Sequence, residues 1–343
     1  MPNPVTIVQI AEVAGVSTAT VDRVLNNRPG VNPATVHKVR EAVASLGGGA
    51  PVRGRPRSTS NYRFGFVVPA TRRGFFDLVD RVVAQAAGDF RHQHITEITH
   101  RVPVTDPNVC AAELMKLGDL DGIALLAPDV PQVKLAINEL VRTGVHVVTL
   151  FSDVPGSMRE TAIGADNRAA GRTAGLLLGR SMPRDQASLC ALFSPATRYA
   201  AEIDRRIGFQ QVIEEGFPNV RVNRLFELPE SEDEAYDYAR TMLSPDASER
   251  ISGVYNVGPS SFGIGRALAE HGYGHDLTFI AHDLLEVHRS MLISGTLGYV
   301  LHQDVYYAVT AAARVLRALC DGVRGALVTS NPRIEIVTSE NLA

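Results

Sequence analysis

At 343 residues, with 45% hydrophobic side chains and a formal charge of −3, the chain is too long for one ordinary core and suits two or three compact units. Its three cysteines, Cys110, Cys190 and Cys320, are too widely spaced for a metal knuckle or a disulfide framework, and no apolar run is long enough to span a bilayer. With no basic stretch followed by an apolar run at its start, the chain is expected to work in a reducing bacterial cytoplasm, away from any membrane.

The chain opens with the pattern of a helix-turn-helix. Thr6 with Gln9 three residues later is a capping-box start, and Ile7, Ile10, Ala11 and Ala14 then share one helical stripe. Gly15 supplies the positive φ of a tight turn, and Ser17 is placed to cap a second helix whose Val21, Val24 and Leu25 face inward. That leaves Thr18, Ala19, Asp22 and Arg23 outward, on the half of the helix that meets base edges in a major groove. A third helix is marked by Asn32 as cap, Pro33 at its first position and an apolar stripe of Val36, Val39, Val43 and Leu46. Residues 1–63 carry eight basic against three acidic side chains, a net +5, while the remainder carries −8. Such asymmetry suits a DNA-contacting head on a body that does not itself wrap DNA.

From Gly47 to Asn61 glycines, prolines and arginines replace large apolar residues, which marks a domain boundary. Within it, Arg53 and Arg55 are held extended by Gly54 and Pro56. They can enter a narrow A·T minor groove, or act as a solvated basic tether beside phosphates.

From Arg63 onward, short β-rich runs alternate with helical stretches. Residues 64–68, 122–126 and 145–150 read as strands buried on both faces, with helices over 76–91, 107–117 and 131–143. A second set places strands near 187–193, 221–227, 252–257 and 277–281, with helices near 200–215, 232–243 and 261–271. The pattern predicts an all-α head on an α/β body of two doubly wound parallel-sheet lobes. Ligands in such sheets bind outside the carboxyl ends of the strands, so facing lobes would enclose a cleft.

The residues that close those strands are polar: Asp153, Asp166-Asn167, Asn256, His282-Asp283 and His302-Gln303-Asp304. Carboxylates and carboxamides match the spacing of vicinal hydroxyls. Phe75 and Phe76 can offer an apolar wall to a sugar's C–H face, and the planar fork of Arg205 can bridge two ligand oxygens. No nucleophile elbow, dinucleotide fingerprint or phosphate loop is present. His92, His94 and His100 could share a metal if they lay on one strand, but a solvated edge strand is the stronger reading, and no metal or cofactor is expected.

These residues together resemble the LacI/GalR family of bacterial transcription regulators, along essentially the whole chain. The stretch from Val5 to Asn26 carries the likeness most specifically, and the body is similar to the ribose-binding type of periplasmic-binding-protein fold (type I). The resemblance implies a DNA-facing set of Thr6, Ser17, Thr18, Ala19, Thr20, Asp22, Arg23, Asn26, Arg53 and Arg55. Within that set Arg53 and Arg55 come from the linker's own composition rather than from the likeness, which implies effector contacts from Phe75, Phe76, Asp153, Arg205, Asn256, Asp283 and Gln303. The implied organisation is a head over 1–48, a hinge over 49–62, one lobe from 63–164 with 296–325, and a second from 165–295 with 326–343. A homodimer on a palindromic operator, modulated by a small sugar or polyol, follows from the same likeness.

Two departures from the family stand out. Asp22 takes the place of the usual Ser, which could donate to a phosphate; an aspartate instead accepts from a cytosine amino group or pairs with an arginine. The usual hinge helix inserts a leucine, and this chain has none between Leu46 and Leu78. A sugar-binding transport receptor and a sugar-modifying enzyme fused to a DNA-binding head are the alternative readings. Replacing Arg53 and Arg55 by Ala tests the linker: groove insertion predicts affinity lost only on A·T-centred sites, whereas uniform loss across sequences contradicts it.

Overall fold

The computed structural model describes residues 6–25, 30–46, 61–71, 74–195, 199–228, 231–243, 251–273, 277–323 and 331–342. The chain separates into a unit over Met1–Thr59 and a unit over Ser60–Ala343. The expected contacts Asn26, Arg53 and Arg55 lie outside the described residues, as does most of the expected hinge.

The head comprises α1 (Ile7–Ala14), α2 (Thr18–Leu25) and α3 (Pro33–Ser45). Its local chemistry follows the sequence closely. Thr6 Oγ1 accepts from Gln9 N at 3.3 Å while Gln9 Oε1 accepts from Thr6 N at 2.9 Å, closing the capping box. Gly15 turns the chain at φ 66°, and Ser17 Oγ accepts from Thr20 N at 3.2 Å to start α2. Ile10, Ala11, Val21, Val24, Val39 and Ala42 form the buried centre. That centre is small, so each member carries a large share of the head's stability.

The body begins with β1 (Tyr62–Pro69), α4 (Gly74–His92), β2 (Ile95–Val102), α5 (Pro107–Met115), β3 (Gly122–Leu125), α6 (Pro131–Arg142), β4 (His146–Leu150) and β5 (Thr161–Ile163). These strands form a parallel sheet in the order β2-β1-β3-β4-β5. The chain then crosses to a second lobe through α7 (Asn167–Ser181), β6 (Ser188–Pro195), α8 (Ala200–Gly216), β7 (Val220–Leu228) and α9 (Glu232–Met242). It continues through β8 (Gly253–Asn256), α10 (Ser261–Glu270), β9 (Thr278–His282), α11 (Glu286–Ile293) and β10 (Tyr299–Gln303). After these come α12 (Val305–Cys320) and β11 (Ile334–Val337). The second sheet runs β11-β10-β9-β8-β6-β7, parallel except where β11 meets β10.

One boundary differs from expectation. Residues 296–325 were assigned to the first lobe, yet β10 lies in the second sheet, where Val300 is registered on Ala281 and Val337. The crossing falls at Asp304, which caps α12 by accepting from Tyr307 N at 2.8 Å. From there Val305, Val309 and Leu316 bury against Phe64 and Phe66 of the first lobe. The three histidines do not share a strand: His92 ends α4, His94 sits in a turn at φ 54°, and His100 lies on the edge strand β2. Among the described residues, no helix is long and apolar enough to cross a membrane.

In the second lobe α7 and α8 pack backbone to backbone. A methyl group at Gly171 would overlap the carbonyl oxygen of Arg205, and one at Gly208 would overlap that of Arg168. Gly88, on an exposed turn of α4, meets nothing within 4 Å. Gly171→Ala should therefore cost about 1–3 kcal/mol by overpacking, whereas Gly88→Ala should gain about 0.5–1 kcal/mol through helix propensity. Thermal unfolding of the two variants checks this, and a body that tolerates Gly171→Ala without loss would contradict the packing described.

Candidate functional site: an interlobe cleft and a DNA-reading face

Between the two lobes of the body lies a cavity of about 610 Å³, lined by the carboxyl ends of parallel strands and the starts of helices. Of the expected effector contacts, Phe75, Phe76, Arg205, Asp283 and Gln303 line it; Asp153 and Asn256 do not.

On the first-lobe side Phe75 packs edge-on to Phe76, with centroids 6.2 Å apart, and to Phe151, 5.1 Å away. The apolar wall is thus three rings rather than two. Phe151 was not anticipated, because its place depends on a left-handed backbone at φ 63° directly after β4. Ser260 and Asp283, both lining the cleft, share that conformation at φ 68° and 62°. For a residue with a Cβ it costs on the order of 1 kcal/mol, and such strain gathers where side chains must be aimed.

Arg205 is held from two sides. Its Nε donates to Asn167 Oδ1 at 2.8 Å and its Nη1 to Val257 O at 3.2 Å. Asn167, the first residue of α7, is itself fixed by donating from Nδ2 to the carbonyls of Phe151 and Ala165, both at 3.2 Å. The guanidinium is buried, so its direction is set by these partners rather than by water. Gln303 Nε2 donates to Asp283 Oδ1 at 3.0 Å, while Gln303 Oε1 is buried with no hydrogen-bond partner. Asp283 is anchored at its backbone, where its N donates to Leu301 O at 2.9 Å and its carbonyl accepts from His288 Nδ1 at 2.6 Å.

Behind this pair His282 Nε2 and Tyr255 Oη are 2.7 Å apart. Burial, reinforced by Arg205 and His288, lowers the His282 pKa well below its usual range, and burial raises that of the Tyr255 phenol. The pair is therefore neutral at pH 7 and acts as a dry support for the cleft floor.

The two expected contacts that fall outside the cleft have other work. Asp153 is gripped by Arg159, whose Nη2 donates to Oδ2 at 2.6 Å, and it accepts from Thr149 Oγ1 at 2.8 Å. Burial raises the Asp153 pKa, but these donors outweigh it and hold the carboxyl below its usual value. Its neighbour Ser152 faces the cleft instead, and Ser152 Oγ accepts from Ala201 N at 3.3 Å across the lobes. Asn256 Nδ2 donates to Gly258 O at 3.1 Å and Pro259 O at 2.7 Å, so it shapes the turn before α10 and leaves Gly258, Pro259 and Ser260 to line the cavity. Sequence reading also left out Tyr199, Glu202, Glu232, Glu286 and His288, which line the cleft from helix starts rather than strand ends. An acidic residue in a first turn was the available signal for the three glutamates.

In the head, Thr18, Ala19 and Arg23 are exposed along α2, with Thr20 and Asp22 half-buried. The first turn of α2 carries no acidic side chain, which leaves its N-terminus compatible with phosphate. Thr6 and Ser17 are exposed, but both hydroxyls serve as caps.

Comparison with known proteins matches residues 64–323 to the periplasmic binding protein domain and residues 6–47 to the bacterial regulatory proteins of the lacI family. The HTH-type transcriptional regulator MalR of Streptomyces coelicolor is 41% identical over 80 residues, 23% of each chain. The sucrose operon repressor of Vibrio alginolyticus is 55% identical over 38 residues, 11% of this chain and 40% of that one. The chain thus aligns with well under half the length of these curated relatives. Among solved structures, GanP, a glucose-galactose binding protein from Geobacillus stearothermophilus, superposes with a TM-score of 0.72 at 21% identity, over 83% of this chain and 99% of that one. A LacI-type regulator from Bacteroides fragilis superposes at 0.68 with 20% identity, over 82% and 98%. These structures share the two-lobe fold, and with the match over 64–323 the chain belongs to the periplasmic binding protein domain family, preceded by a head that matches the bacterial regulatory proteins of the lacI family.

Proposed function

We propose that the protein is a transcriptional repressor that binds a palindromic operator as a homodimer and whose operator affinity is set by a small sugar or polyol held between the lobes. The observation that carries this reading is the union of an operator-reading helix with a cleft that presents Arg205, Asp283 and Gln303 beside a phenylalanine wall. Neutral sugar rings need that combination, an apolar face for the C–H side and converging polar groups for the hydroxyls. The regulators named above and the structural likeness to the glucose-galactose binding protein GanP support it.

Thr18, Ala19 and Arg23 are proposed to read bases, with Asp22 either accepting from a cytosine amino group or pairing with a nearby arginine. A transport receptor would need no such head, and a regulator's work requires none of the turnover an enzyme would show. The cytoplasm, where DNA lies, is the proposed location. The effector acts only through its unequal affinity for the two lobe arrangements.

Operators selected from a random pool by the purified full-length protein test the first half. Affinity should fall steeply between 50 and 200 mM salt, about 10³-fold or more if six or more phosphates are contacted; no sequence-selective binding at any salt would contradict the reading. For the second half, Arg205→Ala and Asp283→Ala should abolish the change in operator affinity produced by a responding sugar and leave ligand-free operator binding intact. A variant that still responds normally removes that residue from the effector site.

A further inference from the structure

The charge around the cleft carries information about the effector beyond its being sugar-like. Several helices begin at the cavity wall, and helix N-termini are where phosphates and carboxylates are ordinarily held, by free N–H groups and the positive dipole end. Here those ends already carry the protein's own carboxylates. Asp77 lies in the first turn of α4, Glu202 in that of α8, Glu232 in that of α9 and Glu286 in that of α11, and all four line the cavity. The first turn of α10 has no acidic residue of its own. Glu232 reaches across to supply one, its Oε2 accepting from Gly263 N at 2.7 Å.

Against these carboxylates and Asp283, the only arginines among the described lining residues are Arg81 and Arg205, and Arg101 pairs with Asp77 from beside the cavity, its Nη2 donating to Oδ1 at 2.7 Å. Arg205 has two of its nitrogens committed to Asn167 and Val257. His282 and His288 add no charge at pH 7, since burial lowers the pKa of both. Arg72 and Arg73, which precede α4, lie outside the described residues.

A second observation concerns what the cleft lacks. Gln303 Oε1 is a buried acceptor with no partner, on a side chain only 4% exposed whose amide nitrogen is already spent on Asp283. A buried acceptor of this kind requires a donor. A hydroxyl provides one, on a neutral sugar or on its phosphate alike, so this atom calls for a hydroxyl-bearing ligand and the choice against charge rests on the carboxylates.

We infer that the effector is an uncharged, hydroxyl-donating molecule, and that phosphorylated sugars and sugar acids are excluded from the cleft by charge. The inference rests on the reading of this cavity as the effector site. Among the described lining residues a phosphate would meet Asp77, Glu202, Glu232, Glu286 and Asp283 against Arg81 and the already committed Arg205, at helix ends that carry the protein's own carboxylates, so its desolvation would be poorly offset.

The test is a thermal-shift panel on the full-length protein with D-glucose, D-galactose, D-arabinose, D-fructose and myo-inositol, each beside its phosphate monoester. For each neutral compound that raises the midpoint, the methyl ether at the esterified hydroxyl serves as a control for size. The expected result is a rise with at least one neutral compound, retained by the methyl ether, and apparent binding of the phosphate weaker by roughly 100-fold or more. A phosphate ester that binds as tightly as its parent overturns the inference while leaving the sugar cleft standing. Loss of binding by both ether and ester assigns the exclusion to size and overturns the charge account. If no compound of either kind shifts the midpoint, the sugar-cleft reading itself falls, and the inference with it.

Discussion

The approach of α8 to α7 is the constraint on which the cleft depends. At Gly171 and Gly208 each helix leaves out a side chain, so that the backbone of the other can occupy its place. That contact sets the depth at which Arg205 sits, because the carbonyl a Gly171 methyl would strike is the one belonging to Arg205 itself. The guanidinium is then turned by Asn167, which hangs from the carbonyl of Phe151 at the end of β4. One chain of close contacts therefore ties the first lobe's apolar wall to the second lobe's main cation. A sub-ångström shift at the glycines would be felt at the site, since packed interiors transmit displacement rather than absorb it.

The same economy governs the opposite wall. Asp283 adopts a left-handed backbone that a larger loop could avoid, and it is kept there by the Leu301 and His288 contacts. Its carboxylate is then spent partly on Gln303, which leaves one buried carboxamide oxygen unsatisfied. A buried polar atom without a partner costs on the order of 1–3 kcal/mol. If the cleft takes the hydroxyl-bearing ligand proposed above, that cost is recovered at this atom. The neutral Tyr255 and His282 pair supports this floor without adding charge.

How much of this was legible in the sequence follows from how local each feature is. The head could be read almost atom by atom, because a capping box, a left-handed turn glycine and an apolar stripe are settled within a few residues. The buried strands of both lobes were visible as apolar runs, but β10 was placed in the wrong lobe. A strand does not declare its sheet, and only the Asp304 cap and the apolar face of α12 mark the crossing. At the cleft, the expected residues that do line the cavity follow strands or open helices whose direction the fold fixes. Asp153 and Asn256 fall outside the lining because an acidic or amide side chain after a strand serves a turn or an ion pair as readily as a ligand. The choice was made by Arg159, six residues on from Asp153, and by the carbonyls of Gly258 and Pro259. The glutamates at helix starts went unnoticed as a group, since only the assembled fold brings α8, α9 and α11 to one cavity.

The switch proposed above, from a sugar cleft to a DNA-reading head, is a statement about coupling free energy, and such coupling is reciprocal. If a sugar changes operator affinity by a given factor, saturating operator must change sugar affinity by the same factor. Calorimetric titration of a responding sugar into the protein, free and then bound to its selected operator, measures this directly. The account predicts that the two dissociation constants differ by the factor the sugar imposes on operator binding, about 5- to 150-fold for ordinary allosteric coupling. Equal sugar affinities in the presence and absence of operator would contradict it.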